Sequence, residues 1–184
     1  MASQPKHSYT FQEYLDLEEK STYKSEFHAG EIFDMSGGTE IHSRLSSRMN
    51  AVLERRFPAC RIYDSNLKLY IEQVNEGVYP DCMALCGDPQ FWNNRQDTLL
   101  NPTLIVEVLS PSTQDYDRGT KALYYRSVPS IEHILLISQD RVFVEHLWRQ
   151  DEHAWILKEY DERRLSVNIL KSEITLEEIY RDIL

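Results

Sequence analysis

One segment of the chain, Thr103-Leu-Ile-Val-Glu-Val-Leu109, is apolar on both of the faces it would present as a strand. Side chains alternate between the two faces of a strand, so a strand of this kind has to be covered on both sides. Pro111 ends the pattern because proline cannot donate to a strand ladder. The segment therefore predicts an α/β fold in which it is a central strand.

Helical signals precede and follow this strand. Two capping boxes, Thr10-Phe-Gln-Glu13 and Thr175-Leu-Glu-Glu178, predict one helix to about Glu19 and a closing helix through Tyr180. A longer helix is predicted from Thr39 to about Phe57. Its core stripe at helical spacing consists of Ile41, Leu45, Met49, Val52 and Leu53. Beside the stripe runs a basic row, which is either a solvated face or a surface for a phosphate backbone: Arg44, Arg48 and Arg55.

Strand patterns fill much of the remaining sequence. Glu26 to Met35 reads as a hairpin that turns at Ala29-Gly30, and Asn75-Glu-Gly77 is predicted to be a turn. The other predicted elements are strands at 61–63, 67–71, 78–85, 131–137, 142–148, 154–160 and 165–170, and a helix at 116–127. Together they predict a mixed sheet flanked by helices.

Length and composition limit the function classes. A chain of 184 residues is expected to form a single domain over 1–184, and it has neither a membrane-spanning apolar run nor a secretory signal pattern, which predicts a cytoplasmic protein. The net charge of −10 argues against indiscriminate binding of nucleic acid but not against a nuclease, whose metal ligands are themselves acidic. The three cysteines, Cys60, Cys82 and Cys86, lack zinc-site spacing and are predicted to be buried free thiols.

Glu107 is the residue that a purely structural interpretation of the central strand does not explain. A buried, unpaired carboxylate costs several kcal/mol or keeps its proton. Asp81, which follows Pro80 on a neighbouring predicted strand, is its natural companion, and two such carboxylates form an oxygen-rich site suited to Mg²⁺ or Mn²⁺. The alternative from the residues alone is a structural ion pair between Glu107 and Lys121 or an arginine.

Three motifs resemble the Uma2 (DUF820) family of restriction-endonuclease-like proteins in order and spacing. They are Tyr79-Pro-Asp-Cys-Met-Ala-Leu85, Pro102-Thr-Leu-Ile-Val-Glu-Val-Leu-Ser-Pro-Ser-Thr113 and Asp117-Arg-Gly-Thr-Lys-Ala-Leu-Tyr-Tyr125. Upstream, Glu26-Phe-His-Ala-Gly-Glu-Ile32, Met35-Ser-Gly-Gly38 and His42 also match the pattern of that family. The resemblance covers essentially the whole chain.

The resemblance implies a core of the PD-(D/E)xK nuclease type, with a mixed central β-sheet flanked by helices. It implies that Asp81 and Glu107 ligate Mg²⁺ or Mn²⁺, with the backbone carbonyl of Val108 as a third ligand, and that DNA is the substrate. The chain departs from the superfamily signature at Leu109, where a lysine is expected. Lys121 is the candidate replacement.

Other residues are weaker candidates. Lys68 is a second candidate for the missing lysine. His42 matches a family position and lies on the inward arc of its helix, either as a site residue or as a packed core histidine.

Two functions stay open at this point. The first is a metal-dependent endonuclease that cleaves DNA, with Asp81, Glu107, Lys121 and His42 as its site residues. The second is a nuclease-derived binding or regulatory module in which Lys121 fills the acidic pocket and chemistry has been lost. A homodimer is also predicted, because cutting both strands of a duplex needs two sites.

Overall fold

The computed structural model of the chain describes residues 7–111 and 113–184, so that Ser112 of the second motif lies outside the described residues. The helices are α1 (Phe11–Glu18), α2 (Glu40–Arg56), α3 (Gln114–Tyr116), α4 (Ala122–Ser127) and α5 (Leu176–Tyr180), with a π-helical turn (Asp117–Lys121) that joins α3 to α4. The strands are β1 (Ser25–His28), β2 (Glu31–Asp34), β3 (Arg61–Asp64), β4 (Lys68–Ile71), β5 (Glu76–Val78), β6 (Cys82–Leu85), β7 (Thr98–Leu99), β8 (Leu104–Leu109), β9 (His133–Ser138), β10 (Val144–Arg149), β11 (Trp155–Tyr160), β12 (Ser166–Ile169) and β13 (Ser172–Thr175).

Two sheets form most of the fold. A six-stranded mixed sheet has the order β11-β10-β9-β8-β6-β3, and a five-stranded sheet has the order β2-β1-β5-β4-β7. Within the first sheet, β8 is parallel to β9 and antiparallel to β6, and all of its residues are buried. The prediction that Thr103–Leu109 is a central strand is therefore confirmed.

The two faces of β8 belong to two separate apolar cores. Val106 and Val108 pack toward α2 and α5, whereas Ile105 and Leu109 pack toward α4 and the five-stranded sheet. Full burial of one such side chain stabilises the fold by about 1.5–3 kcal/mol relative to exposure, so both faces contribute. Glu107 shares the second face by alternation and thus points to the space between the two sheets.

The helix starts predicted at Thr10, Thr39 and Thr175 and the first hairpin are confirmed, whereas the helix predicted at 116–127 begins at Gln114 and contains a π-helical turn. Thr10 and Thr175 each form a complete capping box, and the Thr39 hydroxyl accepts a hydrogen bond from the backbone N–H of His42 at 3.1 Å. The β1–β2 hairpin turns through Ala29 and Gly30, both at positive φ (47° and 100°), a conformation that suits glycine.

The predicted strand at 78–85 is wrong as a single element. The chain forms β5, which belongs to the five-stranded sheet, and then β6, which belongs to the six-stranded sheet. Pro80 lies between them and cannot donate to a ladder, which explains the break. The predicted turn at Asn75-Glu-Gly77 is also displaced, because Glu76 and Gly77 of β5 already pair with β4 and the turn spans 72–75.

The prediction of three free thiols is wrong for two of them. Cys60 and Cys86 form a disulfide, whereas Cys82 is free and buried. Cys60 directly precedes β3 and Cys86 directly follows β6, and the register pairs Arg61 with Leu85, so the two cysteines are the next cross-strand pair. The predicted cytoplasmic location stays a prediction.

The basic row of α2 holds the C-terminal segment. The Arg48 guanidinium donates to the backbone carbonyl of Glu178 at 3.2 Å, and Arg55 donates to the Glu178 carboxylate at 3.0 Å. Arg44 donates to the carbonyl of Asp182. Arg44 and Arg55 are exposed, as a solvated face predicts, but all three arginines also contact the C-terminal segment, which neither sequence interpretation included.

The C-terminal strands differ in part from the prediction. β12 does not extend the large sheet but pairs with β13, a strand that the sequence pattern did not indicate. Among the helices that the structure describes, none has the length and apolar character needed to cross a membrane.

Candidate active site

Asp81 and Glu107 meet at the seam between the two sheets. Asp81 directly precedes β6, and the register pairs Cys82 with Val106, which brings Asp81 beside Glu107. The backbone N–H of Val108 donates to Asp81 Oδ2 at 2.7 Å, and that of Asp81 lies 3.4 Å from Glu107 Oε2. The two carboxylates therefore come together as the sequence predicts, although Asp81 lies in a connection rather than on a strand.

Lys121 reaches the same point from the end of the π-helical turn. Its Nζ lies 2.9 Å from Glu107 Oε1 and 3.4 Å from Glu26 Oε1. Leu109, in the expected lysine position, is buried in the second apolar core. Lys68 is not part of this cluster, because it pairs with Glu18.

Tyr125 forms the floor beneath Glu107. Its hydroxyl donates to Glu107 Oε1 at 2.5 Å, and the side chain is fully buried. Lys121 directly precedes α4 and lies about one helical turn before Tyr125, so both groups reach the same carboxylate from one continuous helical segment. The sequence reasoning did not select Tyr125, although this i,i+4 spacing was a usable signal.

His42 faces the site from α2. Its Nε2 lies 3.3 Å from Asp81 Oδ2, and the side chain is 22% exposed, so it borders the cleft instead of packing in the core. The hydrogen bond to Asp81 raises the pKa of His42 above its usual value, with burial opposing and the Asp81, Glu107 and Asp117 charges reinforcing the change.

The sequence reasoning missed a second polar layer on β1. Glu26 accepts a hydrogen bond from the backbone N–H of Tyr79 at 3.0 Å in addition to its contact with Lys121. His28 lies between Glu26 (3.4 Å) and the buried Glu76 (2.5 Å). Two polar residues at alternate positions of a strand share one face, which was the available signal.

Negative charge exceeds positive charge in this cluster. Burial, together with the charges of Asp81 and Asp117, raises the pKa of Glu107, and the Lys121 ammonium opposes the change. Burial also raises the pKa of Asp117. For Glu26, burial is outweighed by the Lys121 charge and the His28 hydrogen bond, which lower its pKa to about 2. Burial likewise opposes the charged form of Lys121, but the surrounding carboxylates raise its pKa well above the ordinary value.

The groups open into a cleft of about 420 Å³. The segment from Met35 to Thr39 forms one wall, and Ser110, Pro111 and Thr113 form another. The Thr39 hydroxyl donates to the Gln139 side-chain oxygen at 2.7 Å and thereby joins the start of α2 to the end of β9. The four site residues selected from the sequence all line this one cleft.

The residues fit a hard divalent cation that keeps several waters. Within residues 7–111 and 113–184, no group of three or more histidine, cysteine or acidic side chains has the arrangement of a metal site. Mg²⁺, however, is commonly held by one or two carboxylates together with water and substrate phosphate. Asp81 and Glu107 supply such a pair, and a divalent ion would offset the excess of carboxylates over cations around them.

Comparison with known proteins agrees with this geometry. A model of the family named Uma2, described as "putative restriction endonuclease", matches residues 11–177. The chain belongs to the Uma2 family. Uma2 membership accounts for the three motifs, which contribute Asp81, Glu107 and Lys121 to the cleft.

Two relatives from the cyanobacterium Synechocystis sp. are similar over most of their length. The uncharacterized protein sll1609 is 36% identical over 155 residues, which cover 82% of this chain and 86% of the relative. The uncharacterized protein slr1290 is 33% identical over 173 residues, with 92% and 90% covered.

A solved structure supports the fold. It is the crystal structure of a putative nuclease belonging to DUF820 from Anabaena variabilis, with a TM-score of 0.78 and 18% sequence identity. The match covers 96% of this chain and 99% of the other. The predicted restriction-endonuclease-like α/β fold is thus confirmed.

Proposed function

We propose that this Uma2 protein is a Mg²⁺- or Mn²⁺-dependent endonuclease that hydrolyses phosphodiester bonds of DNA. The observation that carries the proposal is the convergence of Asp81, Glu107 and Lys121 in one cleft, with Lys121 Nζ 2.9 Å from Glu107. Lys121 thereby supplies a positive charge beside Glu107, whereas position 109, where the superfamily signature has a lysine, holds Leu109.

The proposed roles follow from these contacts. Asp81 and Glu107 hold the metal, and the backbone carbonyl of Val108 is the candidate third ligand. A bound divalent ion supplies Lewis-acid stabilisation of phosphate charge and lowers the pKa of a bound water. Lys121 donates hydrogen bonds to the reacting phosphate or to the attacking water, and Glu26 holds the lysine in place.

His42 has a supporting role in this proposal. Its ring lies 3.3 Å from Asp81 and fixes the orientation of that carboxylate. It also borders the cleft, where it can hold or release a proton near the leaving group.

A homodimer remains part of the proposal. Strand β11 is an edge of the six-stranded sheet, and its Leu157 side chain is 53% exposed. An unpaired edge strand can pair with a second copy and bring two clefts into one assembly. Light scattering on the purified protein measures this, and a monomeric mass at all concentrations would contradict it.

One observation favours a second candidate function, a catalytically inactive binding or regulatory module. Lys121 contacts both Glu107 and Glu26, so it can satisfy the acidic pocket without a metal. In that case the cleft is a stable ion-pair network inherited from a nuclease, and the protein binds nucleic acid or another partner without cutting it.

The test combines metal binding with cleavage. Mn²⁺ is titrated by calorimetry into wild type, Glu107→Ala and Glu173→Ala, where Glu173 is an exposed β13 residue outside the cleft and serves as the matched control. The same proteins are then assayed on plasmid and on single-stranded DNA with Mn²⁺ or Mg²⁺.

The enzyme proposal expects binding and cleavage in wild type and Glu173→Ala, and neither in Glu107→Ala. A folded wild-type protein that neither binds Mn²⁺ nor cleaves DNA would overturn it in favour of the inactive module. Circular dichroism of each variant excludes unfolding as the cause of any loss.

A further inference from the structure

Two exposed aromatic side chains stand at the mouth of the cleft. Phe33 is 48% exposed and Tyr116 is 36% exposed, and both line the cleft that contains Asp81, Glu107 and Lys121. Single exposed apolar side chains are common on protein surfaces, but two aromatic rings at the rim of one charged cleft form a surface on which a flat ligand can pack.

The strand register fixes Phe33 close to the chemistry. Phe33 is the direct cross-strand partner of Glu26, whose carboxylate lies 3.4 Å from Lys121 Nζ. Directly opposed residues of an antiparallel pair lie on the same face, so the phenyl ring lies beside Glu26, the carboxylate that contacts Lys121. Tyr116 precedes the π-helical turn that ends at Lys121.

His28 lies between the two rings and holds their edges apart. Its ring centroid is 5.1 Å from that of Phe33 and 5.8 Å from that of Tyr116, with interplanar angles of 61° and 88°. The Tyr116 hydroxyl lies 3.2 Å from His28 Nδ1, which anchors the phenol. Phe33 and Tyr116 thus line the rim of the cleft on either side of His28, and this pair of exposed rings is named here the aromatic notch.

The charge of the cleft does not suit a long duplex. Five carboxylates line it, those of Glu26, Asp34, Asp81, Glu107 and Asp117, and among the described lining residues Lys121 is the one lysine and no arginine occurs. The arginine row on α2 is bound to the C-terminal segment. Duplex binding draws most of its affinity from many phosphate contacts, which this surface lacks.

We propose that the aromatic notch stacks an unpaired base, and that the substrate class is therefore single-stranded or locally unpaired nucleic acid. The inference rests on the proposed nuclease function and narrows its substrate. A base has an aromatic face whatever its sequence, so stacking on Phe33 and Tyr116 would add affinity to the backbone contacts that Lys121 and the proposed divalent ion supply. A base inside a duplex keeps both faces covered by its neighbours and cannot enter the notch.

The test separates stacking from general apolar contact. A fluorescein-labelled oligothymidylate and its blunt duplex with oligodeoxyadenylate are titrated by anisotropy, with Ca²⁺ in place of Mg²⁺, against wild type, Phe33→Leu, Phe33→Trp and Tyr116→Ala. Tyr23→Ala is the matched control, because Tyr23 is an exposed aromatic residue (59%) that does not line this cleft.

The proposal expects tighter binding of the single strand than of the duplex. Phe33→Leu and Tyr116→Ala each weaken single-strand binding by at least about fivefold, since stacking contributes roughly 1–3 kcal/mol per base. Phe33→Trp retains binding, and its additional tryptophan emission is quenched by the single strand. Tyr23→Ala binds like wild type.

Three results overturn the inference: preferential binding of duplex, wild-type affinity in Phe33→Leu, or no binding of the single strand by wild type. The inference is also overturned if wild type binds an apolar peptide but no single strand. The measurement needs no cleavage. If the protein binds single strands through these rings but never cuts them, the proposed nuclease is refuted and the aromatic notch is supported. If the protein cuts DNA and the Phe33 substitutions do not change cleavage, the nuclease is supported and the aromatic notch is refuted.

Discussion

Two buried lysines in this molecule have opposite surroundings. Lys68 and Lys121 are 2% and 6% exposed, and each contacts a carboxylate. Among the residues that the structure describes, Lys68 forms an ion pair with Glu18 only, and the same carboxylate accepts hydrogen bonds from the hydroxyls of Tyr14 and Tyr79. Lys121 faces Glu107 and Glu26 together, with Asp117 close enough to raise its pKa.

The pKa directions record the difference. Burial lowers the pKa of Lys68, and the Glu18 partner, with a smaller contribution from the Asp97 charge, offsets only part of the change. For Lys121, burial acts in the same direction but is outweighed by several carboxylates. In a balanced buried pair the two charges neutralise each other, so the contact is structural. A surplus of carboxylates around one lysine leaves negative charge that a ligand can neutralise.

Lys68→Met is expected to have the largest effect, and on stability alone. It leaves the Glu18 carboxylate without its cation, which costs about 3–5 kcal/mol of unfolding free energy. Urea titration measures this, and cleavage per folded molecule is expected to stay at the wild-type level. A double variant with Glu18→Gln should recover part of the loss, and a stability change too small to resolve would erase the contrast between the two lysines.

Lys121→Met is expected to act on chemistry. In the proposed enzyme it removes a donor that stabilises charge in the transition state, so the cleavage rate falls on the order of 10²–10³-fold. Single-turnover cleavage of DNA under saturating Mn²⁺ measures it, with Lys68→Met as the matched buried-lysine control. If both variants cut equally well, the surplus of carboxylates has no catalytic meaning.

Mn²⁺ is expected to stabilise the protein through the cleft. An ion that binds only the folded state raises the unfolding free energy by about 2.7 kcal/mol at a free concentration one hundred times its Kd. Thermal unfolding with Mn²⁺ and after its removal by EDTA measures the gain. Lys68→Met should show the full increment and Asp81→Ala none; an increment in Asp81→Ala would locate the ion elsewhere.

Alkaline pH is expected to lower the free energy of unfolding through His28, which lies beside the cleft. Burial opposes protonation of His28, but its bonds to Glu26 and Glu76 raise its pKa to about 9 from the ordinary 6.5. The folded state therefore keeps this proton where the unfolded chain has released it. The stabilisation is complete below pH 6.5 and is lost as the pH rises through about 9, a change on the order of 2 kcal/mol.

Urea titrations from neutral to alkaline pH test this, with His28→Gln as the comparison. The variant should lose the pH-dependent part of the unfolding free energy in that window. An identical slope in both proteins would assign the effect to other groups.

Arg55→Ala is expected to change the free energy of unfolding least among these substitutions. Arg55 is 59% exposed and shares the Glu178 carboxylate with Arg56, so its removal should cost less than about 1 kcal/mol. Urea titration again measures it. A loss as large as that of Lys68→Met would mean that attachment of the C-terminal helix, and not burial, determines what an ion pair contributes.

The parts that could be predicted from the sequence depend on local signals. The capping boxes at Thr10 and Thr175, and the apolar segment around Glu107, each act within a few residues of chain. The pairing of Asp81 with Glu107 also follows, because a buried carboxylate needs a partner and the family motifs indicate which one. Their catalytic roles, like the single domain over 1–184, stay predictions.

The parts that could not be predicted depend on how distant segments meet. The Cys60–Cys86 disulfide requires the register of β3 against β6, which no local pattern determines. The contacts of the α2 arginines depend on where α5 packs, more than 120 residues further on. A break in the strand at Pro80 could be predicted because proline has no backbone N–H. The transfer of the chain from one sheet to the other at this point could not.

The π-helical turn at Asp117–Lys121 has a consequence for how this family can diverge. Such a turn contains one residue more than an α-helix of the same rise, and it often marks a functional site. Removing one residue would restore a regular helix and rotate Tyr116 and Asp117 by about 100° relative to the anchored Ala122 and Tyr125. A one-codon deletion within 118–120, with no side chain of the cleft replaced, is therefore expected to move Tyr116 and Asp117 out of the cleft, so a change in segment length can alter this site as much as a substitution does.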